Sequence, residues 1–426
     1  MDIWHIKRCL RLEGEYPVQG SKNASLPILA ASIVCPAVTE LEGVPCLDDV
    51  DAALRILRHL GCETRQDGHS VYIDSRTVSL SHIPNDLMAE MRSSVIFMGA
   101  LLARCGEAKL SPPGGCQLGK RPIDLHLYAL RRLGAEIEEE NGEISCRAER
   151  LRGTEIVLPF PSVGATENAV LAACAAAGKT VIQGAAREPE IVALQDFLRA
   201  AGVDIYGAGS DRIVISRGRP RTHIHMNIIS DRIVASTVAC AAAAVGGDVT
   251  LKNIDPSQIS TVMHFLNEAG CDIIRKSGEV RIISDGRLKA VGPVSTAPYP
   301  GFPTDAQALL MAAVLKAAGG SEFRETIFER RFLHVPELRK LGADIQVAGS
   351  TARVRGVRQL HGAKLRAEDL RGAAALLTAS MMAEGESELT GLCHLLRGYE
   401  KPEQNLKNLG ASIKSVDIPA PFVYNT

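Results

Sequence analysis

A chain of 426 residues is too long for one ordinary domain, so two or three are expected. Its 46% hydrophobic content is globular, while a net charge of −1 and 4% aromatic residues exclude the basic footprint and stacking platforms of a nucleic-acid binder. Eleven cysteines, an odd number with no Cys-x-x-Cys pair, argue against zinc and against a disulfide framework, and for a reducing, cytoplasmic compartment. The N-terminus, Met1-Asp2-Ile3-Trp4-His5, has early charge and no apolar signal core. No apolar run reaches membrane-spanning length; one of the most apolar, residues 26–38, is broken by Pro and Ser.

Along the chain a short phrase recurs six times: Leu60-Gly61-Cys62, Leu133-Gly134-Ala135, Ala201-Gly202-Val203, Ala269-Gly270-Cys271, Leu341-Gly342-Ala343 and Leu409-Gly410-Ala411. Successive glycines stand 73, 68, 68, 72 and 68 residues apart, and a fixed period of this kind governs the fold. Each phrase closes a helical pattern, such as residues 51–60 or 193–201. Glycine there is a helix C-terminal signal because it accepts the left-handed conformation. After most of them comes a β-patterned run (204–206, 272–274), and in five repeats a second strand follows (212–216, 280–284, 352–357). The sixth copy stops near the C-terminus.

About forty residues before each glycine lies an alanine-rich helix, near residues 24–34, 93–103, 167–177, 232–245, 305–318 and 370–383. A strand separates the two helices, as at 179–183 or 248–252. Each unit therefore reads helix, strand, helix, strand, strand. Small side chains on the first helix suit close packing, which places it inside. Six units predict an α/β protein of two similar three-unit domains, with the crossover near residues 220–229.

The stretch from Ser111 to His126 reads Ser-Pro-Pro-Gly-Gly-Cys-Gln-Leu-Gly-Lys-Arg-Pro-Ile-Asp-Leu-His. Two prolines and two adjacent glycines exclude a helix interior or central strand, so this is a loop. It presents Cys116 beside Lys120 and Arg121, and cationic neighbours favour thiolate over thiol. A surface turn with an incidental cysteine would look the same. The run from Gly114 to His126, however, resembles the catalytic loop of the UDP-N-acetylglucosamine enolpyruvyl transferases, the bacterial 1-carboxyvinyltransferases that begin peptidoglycan synthesis.

Other stretches carry the same resemblance. Gly20-Ser21-Lys22-Asn23 opens the first inner helix, where free N–H groups and a lysine make an anion site; it is similar to the family's Ser-Lys-Asn-Ala, whose Lys and Asn bind phosphoenolpyruvate. Met91-Arg92-Ser93-Ser94 opens the second and Ser162-Val163-Gly164 the third. The resemblance implies that Arg92, Arg121, Pro122, Ile123, Asp124, Leu125, Ser162, Val163 and Gly164 hold the nucleotide sugar, Arg121 and Leu125 flanking the uracil. Thr304-Asp305 opens the fifth helix and Ile327 follows in the next loop; both are implied to touch the sugar, Asp305 at its 3-hydroxyl as proton acceptor. Asp369-Leu370-Arg371-Gly372 opens the sixth helix, and Arg397-Gly398-Tyr399-Glu400 follows. Lys22, Asn23, Arg121, Arg371 and Arg397 are implied to hold the anions of phosphoenolpyruvate, and Cys116 to donate a proton, to add to phosphoenolpyruvate and to be the target of fosfomycin. Taken singly, each arginine or serine here has an ordinary reading as a surface residue or a helix cap.

The implied fold is two α/β domains of three units with inner helices and outer sheets, an inside-out α/β barrel. One domain is 21–229, carrying the cysteine loop, and the other is 1–20 plus 230–426, with the active site in the cleft between them. The implied activity transfers enolpyruvyl from phosphoenolpyruvate to the 3-hydroxyl of UDP-N-acetylglucosamine, releasing phosphate, in a monomer with no metal, no organic cofactor and no membrane or nucleic-acid partner. Five positions depart from the family pattern: Phe160, Gln117 with Leu118, Arg330 and Pro402. A 5-enolpyruvylshikimate-3-phosphate synthase has the same six-unit architecture, but the Gly-Gly-Cys loop and the Arg-Pro-Ile-Asp-Leu run speak against it. A silent regulatory paralogue would have lost a Cys, Lys or Arg, and none is lost. A ring-forming clamp of α/β repeats would need a basic inner face, and the charge is near neutral.

Overall fold

The computed structural model describes residues 2–111, 123–140 and 142–417. They form two compact units, one of residues 20–111 with 123–229, the other of residues 2–19 with 230–417. Gly20 groups with the first of these. Six four-stranded sheets result, three per unit and none closed.

In the 20–229 unit the inner helices are Lys22–Ala31, Phe97–Cys105, entered through the 3-10 turn Arg92–Ile96, and Val163–Ala173. In the other unit they are Arg232–Val245, Thr304–Ala313 and Leu370–Met382. These helices have no polar face. On Arg232–Val245 every residue except Thr237 and Val245 is buried, which is what a helix apolar all round requires. Outer helices are amphipathic: Asp48–His59 buries Val50, Ala53, Leu54 and Leu57 and exposes Asp51 and Arg55.

All six repeat glycines have φ between 91° and 105°, at Gly61, Gly134, Gly202, Gly270, Gly342 and Gly410. That region is open to glycine and closed to most other residues, so the period in the sequence is a period of helix endings.

In the first five repeats the strand after the inner helix pairs with the hairpin after the outer helix. In the third repeat Lys179–Gln183 lies antiparallel to Arg212–Ser216, which pairs in turn with Asp204–Tyr206. Every sheet also has a fourth strand that the periodicity did not predict, a short parallel one. In four repeats it runs ahead of that repeat's own inner helix, as Glu155–Val157 beside Lys179–Gln183. Repeats one and four exchange theirs: His223–Asn227 pairs with Val38–Glu42, and Leu12–Pro17 with Gly247–Lys252. In the sixth repeat, where the sequence runs out, Asp2–Lys7 is inserted between Glu386–Thr390 and Ile413–Asp417 and takes the place of the second hairpin strand.

Each unit has its own apolar core. Among the described residues no helix is long and apolar enough to cross a membrane.

Candidate active site

In the unit of 2–19 and 230–417, three inner helices open on charged residues: Arg232, Asp305 and Arg371. Asp305 accepts from two guanidiniums. Its Oδ1 pairs with Arg331 and its Oδ2 takes Arg371 Nη2 at 3.3 Å. Arg331 also donates from Nε and Nη2 to the Thr304 carbonyl, both at 3.2 Å. Both arginine side chains are buried, at 3% and 6% exposure, whereas Asp305 keeps 31%. Burial alone would raise the Asp305 pKa, but Arg371, Arg331 and Arg232 together hold it well below the usual carboxylate range. Burial would lower the Arg371 pKa, and the Asp305 charge outweighs it and keeps the guanidinium protonated.

Arg371 is fixed from three further sides. Its backbone N–H and that of Gly372 donate to Asp369 Oδ1 at 3.0 and 2.9 Å, a side-chain cap on the helix. Its Nη1 donates to the Tyr399 hydroxyl at 3.3 Å, and the guanidinium stands 5.8 Å from that ring's centre. The Tyr399 hydroxyl meets Thr237 Oγ1 at 2.8 Å, and burial pushes the phenol pKa up.

Arg397 ends the short Leu392–Leu396 helix and is half-buried. The turn that follows is pinned by Gln19, which donates to the Gly398 carbonyl at 3.2 Å and accepts from the Glu400 N–H at 2.8 Å. Ile327 is placed by the buried Glu325. One carboxylate oxygen of Glu325 accepts from the N–H groups of Ile327 and Phe328, at 2.8 and 3.1 Å, and from Thr296 at 3.0 Å. The other accepts from the Thr304 hydroxyl at 3.0 Å, so one acid sets both the Ile327 loop and the start of the Asp305 helix.

In the 20–229 unit, Ser21 caps the Lys22–Ala31 helix, accepting from the Ala24 N–H at 3.2 Å. Lys22 is buried and its Nζ donates to Asp49 Oδ2 at 2.9 Å. The chain reaches this cap through Gly20, where a Cβ would lie 1.8 Å from the Gly43 carbonyl oxygen; glycine is required there by close approach. Half-buried Asn23 follows, and Pro27, inside the helix, has no N–H to give the Asn23 carbonyl.

Ser162 caps the Val163–Ala173 helix, accepting from Ala165 N–H at 3.4 Å, with Val163 and Gly164 half-buried beside it. Ile123 and Leu125 are half-buried and Asp124 exposed, at the start of Asp124–Arg132. These two stretches meet through His126. A Cβ on Gly164 would come 2.8 Å from the His126 ring. Asn168, wholly buried, reaches His126 Nδ1 at 2.8 Å, donates to the Val95 carbonyl at 3.1 Å and accepts from the Gly99 N–H at 2.6 Å. That assignment uses each amide hydrogen once and leaves Nδ1 the acceptor.

Cys116, Lys120, Arg121 and Pro122, with Gln117 and Leu118, lie outside the described residues, as does the side chain of Arg92. Two of the departures noted in the sequence, Phe160 and Arg330, are exposed, while Pro402 is buried at the first position of Pro402–Asn408, where a missing N–H is tolerated. Arg331, Glu325, Gln19, His126 and Asn168 were not found from the sequence. Two carried a signal: Arg331, next to the Arg330 departure, and His126, at the end of the cysteine-loop run.

Three inner helices in each of two similar units are the architecture of an enolpyruvyl transferase, and the chain belongs to that family: the family described as EPSP synthase (3-phosphoshikimate 1-carboxyvinyltransferase) matches residues 6–406. Within it, four curated relatives at 42–47% identity are named UDP-N-acetylglucosamine 1-carboxyvinyltransferase. The chain is 47% identical to UDP-N-acetylglucosamine 1-carboxyvinyltransferase 2 of Caldanaerobacter subterraneus subsp. tengcongensis over 95% of this chain and 97% of that one. It is 44% identical to UDP-N-acetylglucosamine 1-carboxyvinyltransferase of Finegoldia magna, over 98% and 100%. Among solved structures it is similar to the enolpyruvyl transferase NikO of Streptomyces tendae, with TM-score 0.88 and 26% identity over 98% and 99% of the two chains. EPSP synthase of Acinetobacter baumannii, at 19% identity and TM-score 0.76 over 98% and 100%, shares the fold.

Proposed function

We propose that the protein transfers the enolpyruvyl group of phosphoenolpyruvate to the 3-hydroxyl of UDP-N-acetylglucosamine and releases phosphate, the committed step of peptidoglycan synthesis. The observation that carries this is the name shared by relatives at 42–47% identity over nearly the whole chain. The protein would work in the cytoplasm, as a monomer, in cell-wall growth and division.

The proposed roles follow from charge. Lys22, Asn23, Arg121, Arg371 and Arg397 hold the phosphate and carboxylate of phosphoenolpyruvate. Arg92, Arg121–Leu125, Ser162–Gly164, Asp305 and Ile327 hold the nucleotide sugar. The Cys116 thiol gives its proton to C3 of phosphoenolpyruvate while the sugar hydroxyl oxygen bonds to C2, its own proton passing toward Asp305. The cations stabilise the tetrahedral centre that results. Loss of a C3 proton and cleavage of the C2–O bond to phosphate then give the enol ether.

Asp305 is a weak base while two arginines hold it. Binding of the phosphoenolpyruvate anions to Arg371 draws one of them away and raises the proton affinity of the carboxylate at the moment it is needed. The family description names a shikimate acceptor, and this supplies the second reading. Phosphate release that depends on UDP-N-acetylglucosamine supports the first; dependence on shikimate 3-phosphate would replace it with the second.

A further inference from the structure

His334 lies behind the Asp305–Arg331–Arg371 group and has no part in the chemistry above. It is 3% exposed and precedes the Val335–Lys340 helix. Neither ring nitrogen makes a hydrogen bond of good geometry, although the Arg331 backbone approaches the ring. Leaving buried polar groups unpaired is costly, and an apolar ring at this position would avoid that cost. An unpaired group that persists in a packed interior calls for a second state in which it is paired.

The neighbours identify the partner. Asp369 uses Oδ1 to cap the helix that carries Arg371. Its Oδ2 and the His334 Cβ flank Gly372 closely: a Cβ on that glycine would stand 2.6 Å from Oδ2 and 3.0 Å from the His334 Cβ. Asp369 and Arg331 are the charged groups that act on the imidazole, with opposite sign, and burial outweighs the Asp369 attraction and keeps the ring neutral. A neutral imidazole still has one N–H to give.

We infer that His334 is a positioning residue: when an anion draws Arg371 off Asp305, the imidazole turns its N–H to Asp369, which flanks the same glycine, and fixes the helix start from which Arg371 reaches the anion. This deepens the transferase reading and rests on it only for the identity of the anion.

The test replaces the ring nitrogens and keeps the ring. His334→Phe should melt at or above the wild-type temperature, because it removes unpaired polar atoms, yet raise the KM for phosphoenolpyruvate about tenfold with the KM for UDP-N-acetylglucosamine within twofold. His334→Gln, which retains an N–H, should bring the phosphoenolpyruvate KM back to within about threefold of wild type. In 15N spectra of the wild-type protein, inorganic phosphate should shift the His334 ring nitrogens toward hydrogen-bonded values. A folded His334→Phe with unchanged phosphoenolpyruvate KM, a Gln variant no better than Phe, or ring signals that saturating phosphate does not move would each overturn the inference. A wild-type protein without turnover would sink the activity reading alone, and the phosphate titration would then decide the role of His334.

Discussion

The Asp305 carboxylate sits against two buried guanidiniums, which sets its behaviour with pH. Its folded pKa is depressed below the unfolded value of about 3.9, so the stability it contributes is present above that pH and is lost as pH falls through the folded value. At assay pH it is fully ionised, and the acid limb of kcat/KM in the free enzyme belongs to another group. Asp305→Asn should lower turnover by ~10²–10⁴ and leave the position of that limb unchanged. Asp305→Ala should also melt at lower temperature, since breaking a buried pair costs ~3–5 kcal/mol. His334, a base, loses stability in the same direction, on acidification, but over a higher pH range. Its pKa is lowered from 6.5 to about 4 by burial, so the unfolded chain binds the extra proton between those values. Stability should be full above pH 6.5 and decline toward pH 4, and the decline should flatten in His334→Phe, as read from urea midpoints across that range. Among the cysteines, burial drives the pKa of Cys174 and Cys240 up, and that of Cys62 and Cys146 to about 12. Cys46, Cys105 and Cys393 are exposed, so exposure alone would make them targets. If the cationic loop activates Cys116, brief fosfomycin treatment should label residue 116 and none of these three in peptide mass spectra, faster with UDP-N-acetylglucosamine present.

At the scale of elements, the inner helices are legible in the sequence because they are rich in alanine, and the fourth spans residues 232–245 as the sequence predicts. Their ends were harder. The fifth runs Thr304–Ala313 and then tightens into the 3-10 turn Val314–Lys316, which composition does not distinguish from helix. The third starts at Val163, four residues before the alanine-rich run, because Ser162 supplies the cap. The parallel strands ahead of the inner helices escaped notice for a physical reason. His82–Ile83 and Val294–Ser295 are two residues each, too short for alternation, and owe their conformation to a partner strand far along the chain. Polar organisers were invisible for the same reason: Asn168 and Glu325 have no local pattern, only distant partners. Asn168→Ala should show how much such a residue holds. It strands the Gly99 N–H and the Val95 carbonyl in the core and should cost roughly 2–5 kcal/mol. With His126 loosened against Gly164, the KM for UDP-N-acetylglucosamine should rise more than that for phosphoenolpyruvate.

Over the whole molecule the two units differ in how they use the chain. All three sheets of the 20–229 unit are made from its own residues, including the borrowed His223–Asn227 strand. The other unit needs Asp2–Lys7 and Leu12–Pro17 to fill two of its sheets. A fragment of residues 20–229 should therefore fold cooperatively by circular dichroism and calorimetry. A fragment of 230–426 should not, until a peptide of residues 1–19 is added. A 230–426 fragment that melts cooperatively by itself would refute this.

The strand Asp2–Lys7, locked between Glu386–Thr390 and Ile413–Asp417, also has a meaning in time. A ribosome makes the chain from its N-terminus at ~5–20 residues per second. This strand thus waits while some four hundred further residues are made before both of its neighbours exist, a delay of roughly 20–80 seconds at that speed. Throughout that interval its hydrogen-bonding edges and the side chains of Trp4 and Ile6 are without their final cover, while the 20–229 unit can already be complete. Newborn chains stalled after residue 230 should consequently be the ones that chaperones hold at their leading end.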